Sequence, residues 1–423
     1  METIVKTSKL NAFCAQLKPT SIALPKDLLS KAEAYLDHTD FPTTRQEAWK
    51  YTRVGKIAAI SSQENNVQFE AKSLPVIDKE AITIHVLNGQ ICWSSEKSTL
   101  PAGIEIKALS ECTSSELENL FVTNREFSDV FQAMNRNYLS DGLHITIKEN
   151  TSIDKVIQFI HLNNGRDQVS NVCHFISAGK GSKAAFIMGS LTSEAANSFT
   201  NISFNINVKE NADLTIDKLQ IEEENNYIVS NEYVRQESGS TFTINTVTLN
   251  GTLVRNNLTI EVDGTNCTTN LNGAYLLKGK QHVDNHTVVD HKKPHCISNE
   301  LYKGVMDDES TGVFNGKVFV RENAQKINAF QSNGNVLLSD SATINSKPEL
   351  EIYADDVKCS HGSTTGQLDE DAVFYLRARG LSESSARQLL VSAFVSDVLD
   401  KIENSAVVDF IDENLTKRFG WQR

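Results

Sequence analysis

With 423 residues and a net charge of −13, the chain has no basic face of the kind nucleic-acid binders display. Its 39% hydrophobic and 22% charged content is that of an ordinary water-soluble protein with room for two or three domains. No stretch approaches the roughly 18 apolar residues that span a bilayer, and Met1 to Pro19 lacks the charged start and apolar run of an export signal. Seven cysteines without a Cys-x-x-Cys pair then read as reduced thiols, and the expected location is the cytoplasm.

Residues 1 to about 60 read as helical. Leu28, Leu29, Ala32, Tyr35 and Leu36 recur at helical spacing and give one apolar stripe. Pro42 stops that helix, and Thr44 and Glu47 have the spacing of a capping box for the next. Trp49 and Tyr51 are the expected packing anchors. From about 65 to 110 the pattern is mixed, with Ile82 to Leu87 as a strand that runs into a tight Asn88-Gly89 turn. Thr113 to Arg136 returns to helix, with Thr113 and Glu116 as a second capping box.

At about Leu143 the period changes from helical to alternating. Runs such as Phe204 to Val208, Leu214 to Ile216, Phe242 to Val247 and Leu258 to Val262 are short strands with polar turns. Such a region is a sandwich, a barrel or a solenoid, and a weak repeat favours the solenoid. A turn of acidic and small residues recurs at Glu210, Glu237, Asp263, Glu322 and Asp340. The first three turns stand about 26 residues apart and the last two about 18, both spacings suited to stacked coils. Each coil leaves its apolar face uncovered until the next one stacks on it. The expected organisation is a helical or mixed region over 1–140, a strand-rich core over 141–365 and a helical region over 366–423.

After Gly362 the helices return. Glu370 to Arg379 forms one, ended by Gly380, and Ser382 caps a longer one to about Ile402. Leu389, Leu390, Ala393, Phe394, Val398 and Ile402 keep helical register along it, and a final helix carries Val407 to Phe419. Two amphipathic helices after a solenoid serve either as an end cap or as a docking surface, and pattern alone leaves both open.

Two stretches could carry chemistry. In Tyr353 to Gly362, read as a strand, Asp355, Val357, Cys359 and His361 alternate onto one face. A thiolate and an imidazole two residues apart can grip one soft metal, yet two ligands leave a tetrahedral site open. Further ligands would have to come from elsewhere in the chain or from a partner. The alternative is a buried cysteine beside a structural histidine, with Asp355 and Asp356 as turn residues. The second stretch packs His282, His286, His291, His295 and Cys296 into fifteen residues, which suggests a metal centre. Against that, the stretch lacks His-Glu-x-x-His spacing, and the histidines suit hydrogen bonding within strands and turns equally well. Cys14, Cys92, Cys112, Cys173 and Cys267 have no companions and read as structural. The chain lacks a Gly-x-x-x-x-Gly-Lys loop and a Gly-x-Ser-x-Gly elbow, so any ATP-driven step falls to a partner.

Longer motifs point to one family. They are Asp284-Asn-His-Thr287, Asp290-His291, Pro294-His295, Leu301-Tyr-Lys-Gly-Val305, Phe314-Asn-Gly-Lys317, Ala354 through Gly362, and Phe374-Tyr-Leu-Arg-Ala-Arg-Gly380. Near the start, Phe41-Pro-Thr-Thr-Arg45 and Glu47-Ala-Trp-Lys-Tyr51 add a further signature. Together they strongly resemble the SufB/SufD family, the non-ATPase scaffold subunits of the SUF iron–sulfur cluster assembly machinery. The Cys-Ser-His-Gly form at 359–362 resembles the SufD branch.

The resemblance implies a mainly β fold, a right-handed parallel β-helix flanked by N-terminal and C-terminal helices. It implies a non-catalytic scaffold with a SufB-like sister and a SufC-like ABC ATPase as partners, and leaves a homodimer of the isolated chain open. It also implies a transient iron or iron–sulfur cluster shared with the sister, no tightly bound cofactor, and no nucleic acid or membrane. His361, with Cys359 beside it, would be the cluster-assembly position. The C-terminal helices, with Leu389, Leu390 and Phe394, would dock the ATPase. Two other classes compete: a secreted polysaccharide lyase or hydrolase using Asp355, Asp356 or the histidines, and a purely structural subunit.

Overall fold

The computed structural model describes residues 8–62, 74–93, 100–122, 126–222 and 224–420. Leu10, Phe13 and Cys14 pack the short helix α1 (Lys9–Cys14) against α2 (Lys26–Asp37), which buries Leu28, Ala32 and Leu36 on one side. The stripe at helical spacing is therefore the packed face. Where a helix from Thr44 was expected, there is one 3-10 turn over Glu47–Trp49, without a capping box. Gln46 takes that role in part, since its side-chain carbonyl accepts the Thr43 N–H at 2.9 Å. Trp49 is buried as expected, but Tyr51 is exposed.

Alternating apolar residues then build the strands. β1 (Ile82–Leu87) and β2 (Gln90–Trp93) form a hairpin through Asn88 and Gly89, both at positive φ. That turn type matches the right-handed twist of the flanking strands and needs residues that tolerate left-handed backbone. After β3 (Ile104–Ala108) come two separate helices, not a continuous one. α3 (Ser114–Phe121) starts on the expected Thr113–Glu116 capping box, and α4 (Val130–Asn137) on Asp129.

From Leu143 the chain coils. The strands are β4 (Leu143–Ile147), β5 (Ile157–Arg166), β6 (Val169–Ala178), β7 (Lys183–Ala196), β8 (Ser198–Val208), β9 (Asp213–Ile221) and β10 (Asn226–Gln236). They continue as β11 (Thr241–Asn250), β12 (Leu253–Val262), β13 (Thr268–Leu277), β14 (His282–His291), β15 (Ile297–Met306) and β16 (Thr311–Val320). β17 (Asn328–Leu337), β18 (Thr343–Ile352) and β19 (Lys358–Gly366) finish the stack. Odd strands from β5 to β19 lie in one sheet with β1 and β2, and even strands from β4 to β18 lie in a second sheet with β3. Within each sheet, successive strands of the stack pair in parallel, so the chain passes from one sheet to the other and back in every coil. This is a β-solenoid of about eight turns, mainly β, with helices at both ends.

The coil is the repeat. Side chains one turn apart bond across 26 residues at Asn231 and Asn257, and across 31 at Glu300 and Gln331. The turns at Glu210, Glu237, Asp263 and Glu322 all join an even strand to the next odd one, on one edge of the solenoid. The Asp340 turn joins β17 to β18 on the opposite edge, so its 18-residue spacing from Glu322 is part of a coil and not a coil of its own.

Between the sheets lies one apolar core that runs from Ile82 to Ala354. The interior also holds Lys218, whose ammonium is bonded to Glu232, Ser230 and Asn256. Parallel sheets are stable only with both faces covered, and two helical layers provide this. α5 (Glu370–Ala378), α6 (Glu383–Leu399) and α7 (Ser405–Phe419) follow β19. Val391, Val395, Val398, Val407, Ile411 and Leu415 pack on outward-facing residues of the first sheet that include Leu219, Val247, Ala274, Val305 and Val336. Phe131 and Trp49 pack on Phe199 and neighbours of the second sheet.

The far end stays open. β18 and β19 are the last strands of their sheets, and all of β19 except half-buried Cys359 is exposed. A long strand edge with free N–H and C=O groups is a template for pairing with another chain.

Candidate functional site at the open coil

β19 continues the first sheet by one more rung. Cys359 pairs with Ala329, His361 with Gln331 and Ser363 with Asn333. Ser363 fixes the facing. Its hydroxyl shares a 2.7 Å hydrogen bond with Ser346 on β18, and Ser346 donates to Asn333 at 2.8 Å. Ser363 therefore points into the space between the sheets, and the two-residue period puts Cys359 and His361 on that same face. Both candidate ligands line the mouth of the last coil.

Their environments differ. Cys359 is half-buried against the core, and that burial pushes its thiol up, opposed by its backbone bond with Ala329. A nearby cation or metal would be needed to favour the thiolate, which is the metal-binding form. His361 is exposed. The shared face does not extend to Asp355, because the strand begins only at Lys358 and Asp355 sits in the turn before it. Asp356 in the same turn pairs with Lys326 and accepts the Lys326 N–H at 2.6 Å. Among the described residues, no three His, Cys, Asp or Glu side chains converge as a metal site.

The histidine-rich stretch is divided among three environments. His282 and His286 point outward from β14, His291 points inward to the Ser298 hydroxyl at 2.9 Å, and His295 occupies a turn at φ 63°. Outward on β14, the residues form a clamp for the N-terminal segment. Arg255 donates to the Asp284 carboxylate at 2.5 Å and to the Ala48 carbonyl at 2.8 Å, with its guanidinium 4.1 Å from the centre of the Trp49 ring. The Thr52 hydroxyl donates to Asp284 and bonds His282 at 2.8 Å, and His286 meets the other Asp284 oxygen at 3.0 Å. Burial alone would raise the Asp284 carboxyl, but Arg255, His286 and Thr52 together hold it well below the usual carboxylate range. The early Glu47-to-Tyr51 motif and the Asp284-to-Thr287 motif are thus two halves of one contact.

All seven cysteines are free thiols, and Cys14, Cys173, Cys267 and Cys296 are buried. Cys267 and Cys296 stand on adjacent coils, each donating to a backbone carbonyl, at 3.1 Å to Glu237 and at 3.2 Å to Gly264.

On the C-terminal helices, Ser382 caps α6 and Gly380 ends α5 region at positive φ, as the sequence implies. Of the three residues expected at a docking surface, Leu389 is 48% exposed. Leu390 packs inward, and Phe394 lies against Gly334 with the Lys303 ammonium 4.7 Å from its ring centre. Two further exposed apolar residues of these helices are on α5: Phe374 at 72% and Tyr375 at 57%. Arg387 ties the two helices together through Glu370 at 2.8 Å. Helical periodicity could not separate these faces, because α6 carries apolar residues around much of its circumference.

Among the described residues, no helix is long and apolar enough to cross a membrane. Residues 161–394 match the family described as SUF system FeS cluster assembly, SufBD core domain, and residues 13–159 match the SufBD protein N-terminal region. The chain is 27% identical over 379 residues to the iron-sulfur cluster assembly protein SufD of Escherichia coli, covering 87% of each. An iron-sulfur cluster assembly SufBD family protein of Synechocystis is 29% identical over 388 residues, 85% of this chain and 84% of the relative. Protein ABCI7, chloroplastic, of Arabidopsis thaliana is 29% identical over 407 residues, 92% and 85% of the two chains.

Proposed function

Because the chain belongs to the SufBD family of the SUF iron–sulfur cluster assembly system, we propose that it is a non-catalytic, SufD-like scaffold subunit of the cytoplasm. It pairs through its open coil with a SufB-like sister and docks a SufC-like ABC ATPase on its C-terminal helices. Iron or a nascent cluster is the cargo, received at the subunit boundary and not retained as a tightly bound cofactor. In the absence of the sister, the same edges pair with a second copy of the chain.

One observation carries this reading. The exposed strand edges of β18 and β19 lie at the end of the solenoid where Cys359 and His361 face the mouth. A strand added to either edge satisfies its free backbone groups and places the partner's side chains over that mouth. A thiolate and an imidazole are both ligands for iron. A partner across the edge supplies the ligands that two residues lack. ATP-driven movement of the ATPase then reaches the scaffold through α5 and α6, which follow β19 directly.

The test is cluster reconstitution under anaerobic conditions with both partners present. His361→Ala is expected to lower cluster yield at least about tenfold while the three-subunit complex still forms, and Cys359→Ala is expected to lower it less. The order follows from burial: His361 is open to the mouth, whereas Cys359 is half sunk in the core. Wild-type assembly rates in both variants would reduce the two residues to packing and the chain to a purely structural subunit.

A further inference from the structure

His361 ends a column of three inward-facing groups in the first sheet. Glu300 on β15 pairs with Gln331 on β17, and Gln331 pairs with His361 on β19. Strands of adjacent coils are about 4.8 Å apart, so each of these side chains is within reach of the next. Glu300 is buried, and burial raises its carboxyl to about 6, opposed by its two hydrogen bonds. Oε1 accepts from the Thr287 hydroxyl at 2.5 Å, and Oε2 accepts from the Gln331 amide nitrogen at 2.7 Å. Gln331 is itself 3% exposed. Its nitrogen is committed to Glu300, so its Oε1 is directed away from that carboxylate, and this oxygen is shielded from water without a donor. Gly316 on the facing sheet leaves the amide its room, since a Cβ there would stand 2.2 Å from the Gln331 nitrogen. The neighbour on the remaining side of the column is His361.

We propose that Gln331 is a positioning residue for His361, its Oε1 accepting the N–H of one ring nitrogen so that the other faces the mouth as an unprotonated ligand. This rests on the reading of His361 as a site residue. A histidine ligand must offer a neutral nitrogen, and a carbonyl or carboxylate on the opposite N–H fixes both tautomer and ring orientation. Glu300 and Thr287 act one step further back. They fix which end of the amide points to Glu300, and therefore which end faces His361.

The test begins with the metal-free full chain, its histidine imidazoles labelled with 15N and the His361 signals assigned by their loss in His361→Gln. The wild-type chain is expected to show one dominant His361 tautomer near neutral pH. Gln331→Leu is expected to average the two ring nitrogens towards free imidazole, and Gln331→Glu, which keeps an acceptor, to restore the single tautomer. In the complex, anaerobic titration with ferrous iron should show Gln331→Leu binding about 10- to 100-fold more weakly. A His361 signal that is the same in Gln331→Leu as in wild type overturns the proposal. Should Gln331→Leu fail to fold, Glu300→Gln decides: an amide at 300 no longer dictates how Gln331 turns, so an unchanged tautomer ratio there also overturns it. If the tautomer follows Gln331 while His361→Ala assembles cluster normally, the positioning stands and the site reading fails.

Discussion

Replacing Asp284 with alanine is expected to destabilise the protein by about 3–5 kcal/mol, the cost of removing one partner from a buried ion pair. The substitution leaves the Arg255 guanidinium buried, with the carbonyl of Ala48 and the side chain of Asn257 as its remaining acceptors. Thr52 and His286 lose their shared acceptor at the same time. The effect should appear as a lower denaturant midpoint with little change in the dependence on denaturant. Lys347→Ala is the control. It removes an exposed ion pair between the same N-terminal segment and the solenoid, at 2.8 Å from Glu47. Pairs of that kind contribute about 0–1 kcal/mol. If Asp284→Ala costs no more than Lys347→Ala, the clamp does not hold the N-terminal segment in place.

The second large effect concerns the proposed docking of the ATPase. Phe374→Asp with Leu389→Asp is expected to abolish its co-purification with the scaffold, because each anchor in a well-packed interface is worth about 2 kcal/mol or more. Two such losses amount to roughly a thousandfold in affinity. Both side chains are exposed, so the chain itself should fold and melt as the wild type does. Leu390→Asp is predicted to behave differently, since it places a charge in the layer between α6 and the first sheet and should lower stability. Retention of the ATPase by the Phe374 and Leu389 variant would move the docking surface elsewhere.

Much of the fold was legible because its two periods are simple. Alternation marked the strands after Leu143, and the turns 27 and 26 residues apart at Glu210, Glu237 and Asp263 reflect coils that stack in register. The Thr113 and Ser382 caps were legible because capping is local chemistry. Thr44 and Glu47 have the same local spacing, yet Arg255 and Asp284 draw Trp49 and Thr52 onto the solenoid, and only one 3-10 turn forms. That β1 and β3 join the two sheets was not legible, since the partner of Ile82 is Ile157, far along the chain.

The candidate site was half legible. A period of two placed Cys359 and His361 on one face, and the number of ligands pointed to a partner. Asp355 was misplaced because a period predicts facing only inside a strand, and the strand starts three residues later. The histidine cluster dissolved for the same reason: His282 and His291 fall on opposite faces of β14, and His295 lies beyond it. Gln331 and Glu300 could not have been found, as only the register of the coils brings them behind His361. Nothing in their local sequence distinguishes them from other polar residues of a strand.

Amide hydrogen exchange of the chain, alone at low concentration and then in the complex, tests the open-edge reading most directly. The account predicts fast exchange on the free edges of β18 and β19 in the isolated chain, and strong protection over residues 343–366 once the sister scaffold binds. Equal exchange in the two states, with protection confined to another surface, would contradict it.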